Sequence, residues 1–437
     1  MSVRSSYKKT VYPNKLTLIT ERVSGLNGLA LGVWIKAGTR QESPQALGIS
    51  HYLEHMLFKG TKSRTALQIA REIDQVGGEF NAFTAREYTC FHITLLNKNY
   101  ELGLDILCDI ILNSSFKKDE FDLEKKVILQ EISMVDESPE ELVHDLFFET
   151  VLRNHSLGRP ILGTQQSIQK MRRTQLVDFF VQHYRPEKMV VSVVGDISHE
   201  MVSRKIKPLT GKTWPGRAKA SSDAGGQQKN KMPRAIPNLE SGVWVVRRPT
   251  EQVHLVWGSV GPHYTSNERY AAAILNVFLG AGMSSTLFQE IREKRGLAYT
   301  IYSGLSPFTD TGMFTVYSAT HAKNVVTCLK LIEKCISRVK KKELSKRELR
   351  NVQNNIKGTF LLSADNVESR MSRLAINEIF LGRYLSGEEF CKGIDRTSAD
   401  QILTLANKIF RDYRRHILVM GSKLPQKLVR QVRALAP

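Results

Sequence analysis

One stretch of this 437-residue chain reads as a break between two folded bodies. Residues 216–241 (GRAKASSDAGGQQKNKMPRAIPNLES) are rich in Gly, Ser, Pro and Gln and almost devoid of large apolar side chains. That is the composition of a flexible linker. It predicts two bodies, residues 1–215 and 242–437, each long enough to bury a core of its own. Each half opens on a strand-like apolar segment, residues 29–35 (LALGVWI) and 253–257 (VHLVW). Each then runs into a helical segment, a Gly-bearing break and another alternating strand. Trp34 and Trp257 fall at similar places, which predicts a duplicated unit.

Apolar periodicity predicts helices over 46–58, 65–76, 100–112, 119–135, 139–153, 267–279, 284–295, 323–340, 345–362 and 398–411. Strands are expected at 29–36, 80–84, 88–96, 189–195, 253–260, 298–305, 312–319 and 415–420, and residues 15–20 (KLTLIT) also alternate. Mixed order with hairpin-like pairs argues for an α+β fold, helices packed on mostly antiparallel sheets. Gly77-Gly78 precedes a strand rather than a helix, so it is a turn and not a phosphate cradle. No apolar run approaches the ~20 residues of a membrane-spanning helix, and the N-terminus lacks a signal-peptide core. The five cysteines are few and without metal-type spacing, which excludes a disulfide framework and points to a reducing compartment.

The formal net charge of +20 is unevenly spread. Residues 1–150 carry a net charge of −4, whereas residues 218–437 carry +16. Runs such as Arg338-Val339-Lys340-Lys341-Lys342 and 411–415 read as solvated helix faces. No aromatic interleaving or nucleic-acid motif accompanies them, so no nucleic-acid partner is expected.

The chemistry lies in His51-Tyr52-Leu53-Glu54-His55. At about 100° per residue, both imidazoles and the carboxylate share one face of a helix within roughly a 100° arc. Two neutral imidazoles at i, i+4 can bind one zinc ion while the carboxylate reaches a water on it. This H-x-x-E-H order reverses the commoner H-E-x-x-H. A third ligand is required, and the best supplier is the helix over 121–135 (FDLEKKVILQEISMV). It carries Glu124 and Glu131 within about 20° of one face.

The motif GISHYLEHMLFKGT, with Glu131 downstream, resembles the pitrilysin/insulinase metallopeptidases of the inverted-zincin class, and most of all their mitochondrial-processing-peptidase-like branch. The likeness extends through KLTLITE, GGEFNAFTAREYT, HSLGRPILGT, YRPEKMVVSVVGDIS and GAGMSSTLFQEIREKRGLAY. It implies two homologous halves closing as a clamshell, with one Zn2+ per chain held by His51, His55 and Glu131. Glu54 would be the general base, and Glu124 an acid supporting the ligands from behind. Arg292 and Tyr299 of the second half would be catalytic, reaching the substrate across the gap between the halves and helping zinc to stabilise the oxyanion. Counting from Trp34/Trp257 puts Ile274 to Phe278 where that half's own motif would fall, so it binds no metal. Residues 78–96 resemble the edge strand to which the family's peptide substrates add, with Asn81, Ala82 and Phe83 beside the metal and Phe83 offering an apolar pocket. Glu141 and Asp145 look like positions that read an arginine near the cleaved bond.

The resemblance thus implies a zinc endopeptidase acting on unfolded peptides or presequences, pairing as a homodimer or with a related chain. The short 280–285 segment and the lack of a visible presequence favour a bacterial, cytoplasmic, one-subunit type over a mitochondrial matrix enzyme. Two rivals are a non-catalytic scaffold subunit of the same fold and a basic-surface binder of nucleic acid or membranes. Intact His51, Glu54, His55 and Glu131 argue against the first.

Overall fold

The computed structural model describes residues 5–211, 214, 239, 241–411 and 415–435. The expected linker, apart from Leu239 and Ser241, and residues 412–414 of the basic run lie outside the described residues.

The chain forms two α+β units. One comprises Met1–Met134, Arg159–Met232 and Ser363–Leu385; the other comprises Val135–Gly158, Pro233–Leu362 and Ser386–Pro437. The sheet of the first contains β1 (Ser5–Val11), β2 (Thr17–Val23), β3 (Gly28–Ile35), β4 (Glu79–Thr84), β5 (Thr89–Leu96) and β6 (Met189–Gly195), in the order β1-β2-β6-β3-β5-β4. That of the second contains β7 (Gly242–Arg247), β8 (Val253–Gly261), β9 (Ala298–Pro307), β10 (Gly312–Thr320) and β11 (His416–Gly421), in the order β7-β11-β8-β10-β9. Removing β1 makes the two topologies the same. Each has one parallel pair, β2 with β6 and β7 with β11, and is otherwise antiparallel. The fold is therefore an internal duplication.

Alternation along the strands builds two faces in each unit. From β3, Leu29, Leu31, Val33 and Ile35 pack with Tyr52, Leu53 and Met56 of the helix Ile49–Leu57. Ala30 and Trp34 look the other way, onto Met371, Leu374 and Ala375 of the helix Val367–Leu381. The second unit repeats the scheme. Leu255 and Trp257 of β8 pack with Ile274 and Leu275 of the helix Arg269–Leu279. Val256 packs with Val143 and Phe147 of the helix Pro139–Val151. A side chain from each covering helix comes down onto a glycine of the strand beneath it. A Cβ on Gly32 would meet Met371 Sδ at 2.6 Å, and one on Gly258 would meet Phe147 Cζ at 2.3 Å.

This packing revises the sequence alignment of the halves. Trp34 and Trp257 face opposite sides of their sheets, so they are not equivalent and the count to Ile274–Phe278 is displaced. The helix Arg269–Leu279 (RYAAAILNVFL) contains no His, Asp or Glu in any register. The segment expected as a helix over 284–295 is helical over 286–293 and takes the π form at Phe288–Glu293, a conformation that concentrates at functional sites. The 338–342 run is the solvated end of an amphipathic helix, Val325–Lys341, whose Cys328, Ile332, Cys335, Ile336 and Val339 are buried. All five cysteines are free thiols. No helix among the described residues is long and apolar enough to cross a membrane.

Candidate metal centre

Three side chains from two helices converge in the first unit. His51 and His55 stand one turn apart on Ile49–Leu57, whose opposite face, Tyr52, Leu53, Met56 and Leu57, is buried in the core. Glu131 comes from the helix Lys118–Glu137. The Tyr52 hydroxyl donates to the backbone carbonyl of Phe121, and the two rings stack at 4.7 Å, fixing one helix against the other.

The two imidazole Nε2 atoms lie 3.2 Å apart, and Glu131 Oε2 lies 3.4 Å from that of His55 and 3.7 Å from that of His51. A tetrahedral ion with bonds of about 2.0–2.1 Å separates its ligands by about 3.3–3.4 Å. The observed triangle brackets that value. Glu131 Oε2 is moreover buried, with no hydrogen-bond partner among the described residues. A buried carboxylate oxygen aimed at two ring nitrogens and otherwise unbonded is costly unless a cation sits between them. The donor set of two imidazoles and one carboxylate suits zinc.

The surroundings tune these groups. Burial, reinforced by the neighbouring His55, pushes His51 down to about 3, which keeps it in the neutral form that binds metal. Burial also lowers His55, but its 2.7 Å bond from Nδ1 to Glu124 Oε1 and the charges of Glu131, Glu124 and Glu54 outweigh it, and the net direction is upward. Glu124 is buried and lies 2.5 Å from Lys59 Nζ through its other oxygen. Burial raises it, but the bonds from His55 and Lys59 prevail and hold it below the usual carboxylate range. Glu124 therefore remains an anion that accepts a hydrogen bond from the Nδ1–H of His55 and so turns Nε2 toward the centre. Glu54 is buried beside the triad, and Thr84 Oγ1 donates a 2.5 Å bond to its Oε2. Burial raises Glu54 from its ordinary value, against the Thr84 bond and the His55 charge, with Glu131 adding to the rise. Burial likewise raises Glu131.

Thr84 and Lys59 escaped the sequence reading. Lys59 stands four residues beyond His55, a spacing that could have revealed it. Thr84 is the last residue of β4, an edge strand paired, among the described residues, on one side only, with β5. The edge position expected of residues 78–96 is thus formed by β4. Its side chains divide, however. Phe80 and Ala82 pack toward the core of the motif helix. Phe83 lies 5.6 Å from Trp34 and 6.2 Å from His92, on the opposite face. The apolar pocket expected of Phe83 beside the metal is therefore not where strand alternation puts its ring. Asn81 shares its exposed face.

In the second unit, Arg292 and Tyr299 do meet. The guanidinium lies 4.4 Å from the Tyr299 ring and 4.8 Å from that of Phe288, sandwiched between them across the turn at Gly296. Tyr299 is 74% exposed. Glu141 is exposed and Asp145 half-buried on the helix Pro139–Val151. That helix belongs to the second unit, although it falls in the acidic first third of the sequence.

Comparison with known proteins matches residues 21–165 to the family model described as insulinase, peptidase family M16, and residues 170–356 to that of the peptidase M16 inactive domain. An uncharacterised zinc protease of Mycobacterium leprae is 36% identical over 98% of this chain and 94% of its own length. One from Bacillus subtilis is 34% identical over 96% and 99% respectively. The crystal structure of a protease from Helicobacter pylori superposes with a TM-score of 0.84 at 22% identity, over 95% of this chain and 99% of that one.

Proposed function

The chain belongs to the insulinase family of peptidases, family M16, and from that premise we propose that it is a zinc-dependent endopeptidase of unfolded peptides. The observation that carries the reading is the unbonded, buried Glu131 Oε2 facing the Nε2 atoms of His51 and His55. Relatives described as zinc proteases support the choice of metal. Zinc held there would lower the pKa of a water toward ~7 and polarise a peptide carbonyl.

The protein's own groups do the remaining work. Glu54 takes a proton from the attacking water and returns it to the departing amine, its carboxylate fixed in rotation by Thr84. Glu124 and Lys59 keep His55 in the tautomer that offers Nε2. The free edge of β4 offers backbone groups to which an extended peptide adds as a further strand, largely regardless of its sequence. Arg292 and Tyr299 are assigned to substrate contact, and Glu141 and Asp145 to a preference for arginine near the cleaved bond. Free cysteines fit a reducing cytoplasm.

The test is hydrolysis of an unstructured peptide mixture by the purified protein, with and without chelator, beside Glu54→Gln. Loss of cleavage in the variant with zinc still bound supports the assignment. Peptide binding without cleavage by the zinc-loaded wild type would instead make the chain a scaffold. Equal cleavage of Arg-containing and Arg→Ala peptides would remove the arginine preference.

A further inference from the structure

The helix that carries His51, Glu54 and His55 has no capping side chain of its own. Its N-cap is Gly48, in the left-handed region at φ 84°. The cap comes instead from Glu42, six residues upstream. Glu42 Oε2 accepts from the Gly48 amide at 2.8 Å, and Oε1 from the Ser50 amide at 2.9 Å. A buried carboxylate thus bridges two orphan donors at the positive end of the helix, one of them immediately before His51.

A second element closes on the same point. Gly163, at φ 76°, meets Gly48 backbone to backbone. A Cβ on Gly163 would lie 2.4 Å from the Leu47 carbonyl oxygen, and one on Gly48 would lie 2.4 Å from that of Leu162. Ser167 Oγ donates to the Leu47 carbonyl at 2.9 Å, and Arg159 Nη1 donates to the backbone carbonyl of Glu42. The sequence segment HSLGRPILGT, which the metal site leaves unexplained, supplies Arg159, Leu162 and Gly163 to this junction.

We propose that Glu42, braced by residues 159–167, is a positioning residue for the metal centre. It fixes the axial and rotational setting of the helix so that His51 and His55 stand at ligand distance from Glu131. The proposal rests on the zinc reading and goes beyond it, because none of these residues touches the metal or substrate. A carboxylate with a bond from each oxygen to two separate amides of the first turn resists both sliding and rotation of the helix. A shift well below one residue rise would break the 3.2–3.7 Å triangle.

The experiment measures zinc dissociation constants by chelator competition on the full chain. It compares wild type with Glu42→Gln, Gly163→Ala and Arg159→Lys, with the core change Ile336→Val in the other unit as a control for lost stability. Glu42→Gln and Gly163→Ala are expected to weaken zinc about 10–100-fold, as groups supporting metal ligands do. Arg159→Lys should weaken it less, and Ile336→Val should leave it unchanged. At saturating zinc the kcat of Glu42→Gln should recover toward wild type. Zinc constants within twofold of wild type, whatever happens to the melting temperature, overturn the positioning role alone. A wild type that takes up no zinc overturns the metal reading and this inference with it. Should Glu42→Gln fail to fold, Gly163→Ala and Arg159→Lys decide by the same criterion.

Discussion

Thr84 Oγ1 donates a 2.5 Å hydrogen bond to Glu54 Oε2, joining the end of an edge strand to the carboxylate of the motif helix. Both groups are buried, so removing the hydroxyl leaves a carboxylate oxygen unsatisfied and its rotation unspecified. Thr84→Val should lower kcat about tenfold, roughly 1.4 kcal/mol of barrier, with zinc affinity unchanged. Thr84→Ser should restore it. A Val variant with wild-type kcat would show that Glu54 is oriented by other groups.

Metal binding should be visible without any substrate. A ligand that binds only the folded state stabilises it by RT ln(1 + [L]/Kd), about 4 kcal/mol at a thousand times Kd. Zinc added to chelator-stripped protein should therefore raise the melting temperature, and Glu131→Gln should abolish most of that rise. Glu54→Gln should retain it, since Glu54 faces Thr84 and is not one of the converging ligand atoms. A full zinc-dependent rise in Glu131→Gln would remove Glu131 from the ligand set.

What the sequence disclosed and what it hid divide along physical lines. The motif helix was legible because its spacing carries both the periodicity and the chemistry; the helix over 121–135 was legible as the source of the third ligand, but the choice of Glu131 over Glu124 came from the family resemblance alone. The helix Val367–Leu381 was missed. It packs on the first unit's sheet through Met371, Leu374 and Ala375 but is otherwise a mixture of charged and apolar residues, with no clean period. The edge strand Ser5–Val11 (SSYKKTV) was missed for the same reason: its exposed, polar sequence has no buried face to mark it. The structure turns Phe83 toward Trp34 and His92 rather than toward the metal, because a strand's direction of alternation is set by which residues of its partner face the core, and the sequence of β4 alone leaves both choices open. Glu42 had no signal at all. A carboxylate that caps a helix from six residues upstream matches no local capping pattern.

The Arg292 sandwich distinguishes charge from shape. A guanidinium stacks flat on two rings, whereas an ammonium is a point charge that cannot. Arg292→Lys preserves the charge but loses the fit between Phe288 and Tyr299. Cation–π contacts at exposed sites contribute about 0.5–1 kcal/mol. KM should therefore rise about two- to fivefold in Arg292→Lys, with zinc affinity unaltered. An unchanged KM in both Arg292→Lys and Arg292→Ala would remove the pair from substrate contact.

The buried Glu42 carboxyl sets a pH dependence of stability whose sign follows from its environment. Burial pushes it up to about 7, against the opposing pull of the Ser50 and Gly48 amides and the Arg159 charge. In the unfolded chain it titrates near 4.5. Between those values the folded state holds the proton more tightly, so ΔG of unfolding falls as pH rises. Its contribution is complete below pH 4.5 and lost as pH passes 7, amounting to roughly 3 kcal/mol at 1.36 kcal/mol per unit. Glu54 and Glu131 shift in the same direction and add to the trend. His51 and His183, both pushed down to about 3 by burial, act in the opposite direction between pH 5 and about 6.5, so Glu42's share is read from the difference between wild type and Glu42→Gln, which cannot titrate there. In denaturant titrations of chelator-stripped protein, the wild type should lose more stability, or gain less, than Glu42→Gln between pH 5 and pH 8. A variant whose stability depends on pH as steeply as wild type would show that Glu42 stays ionised in the folded protein, held by its two amides against the cost of burial.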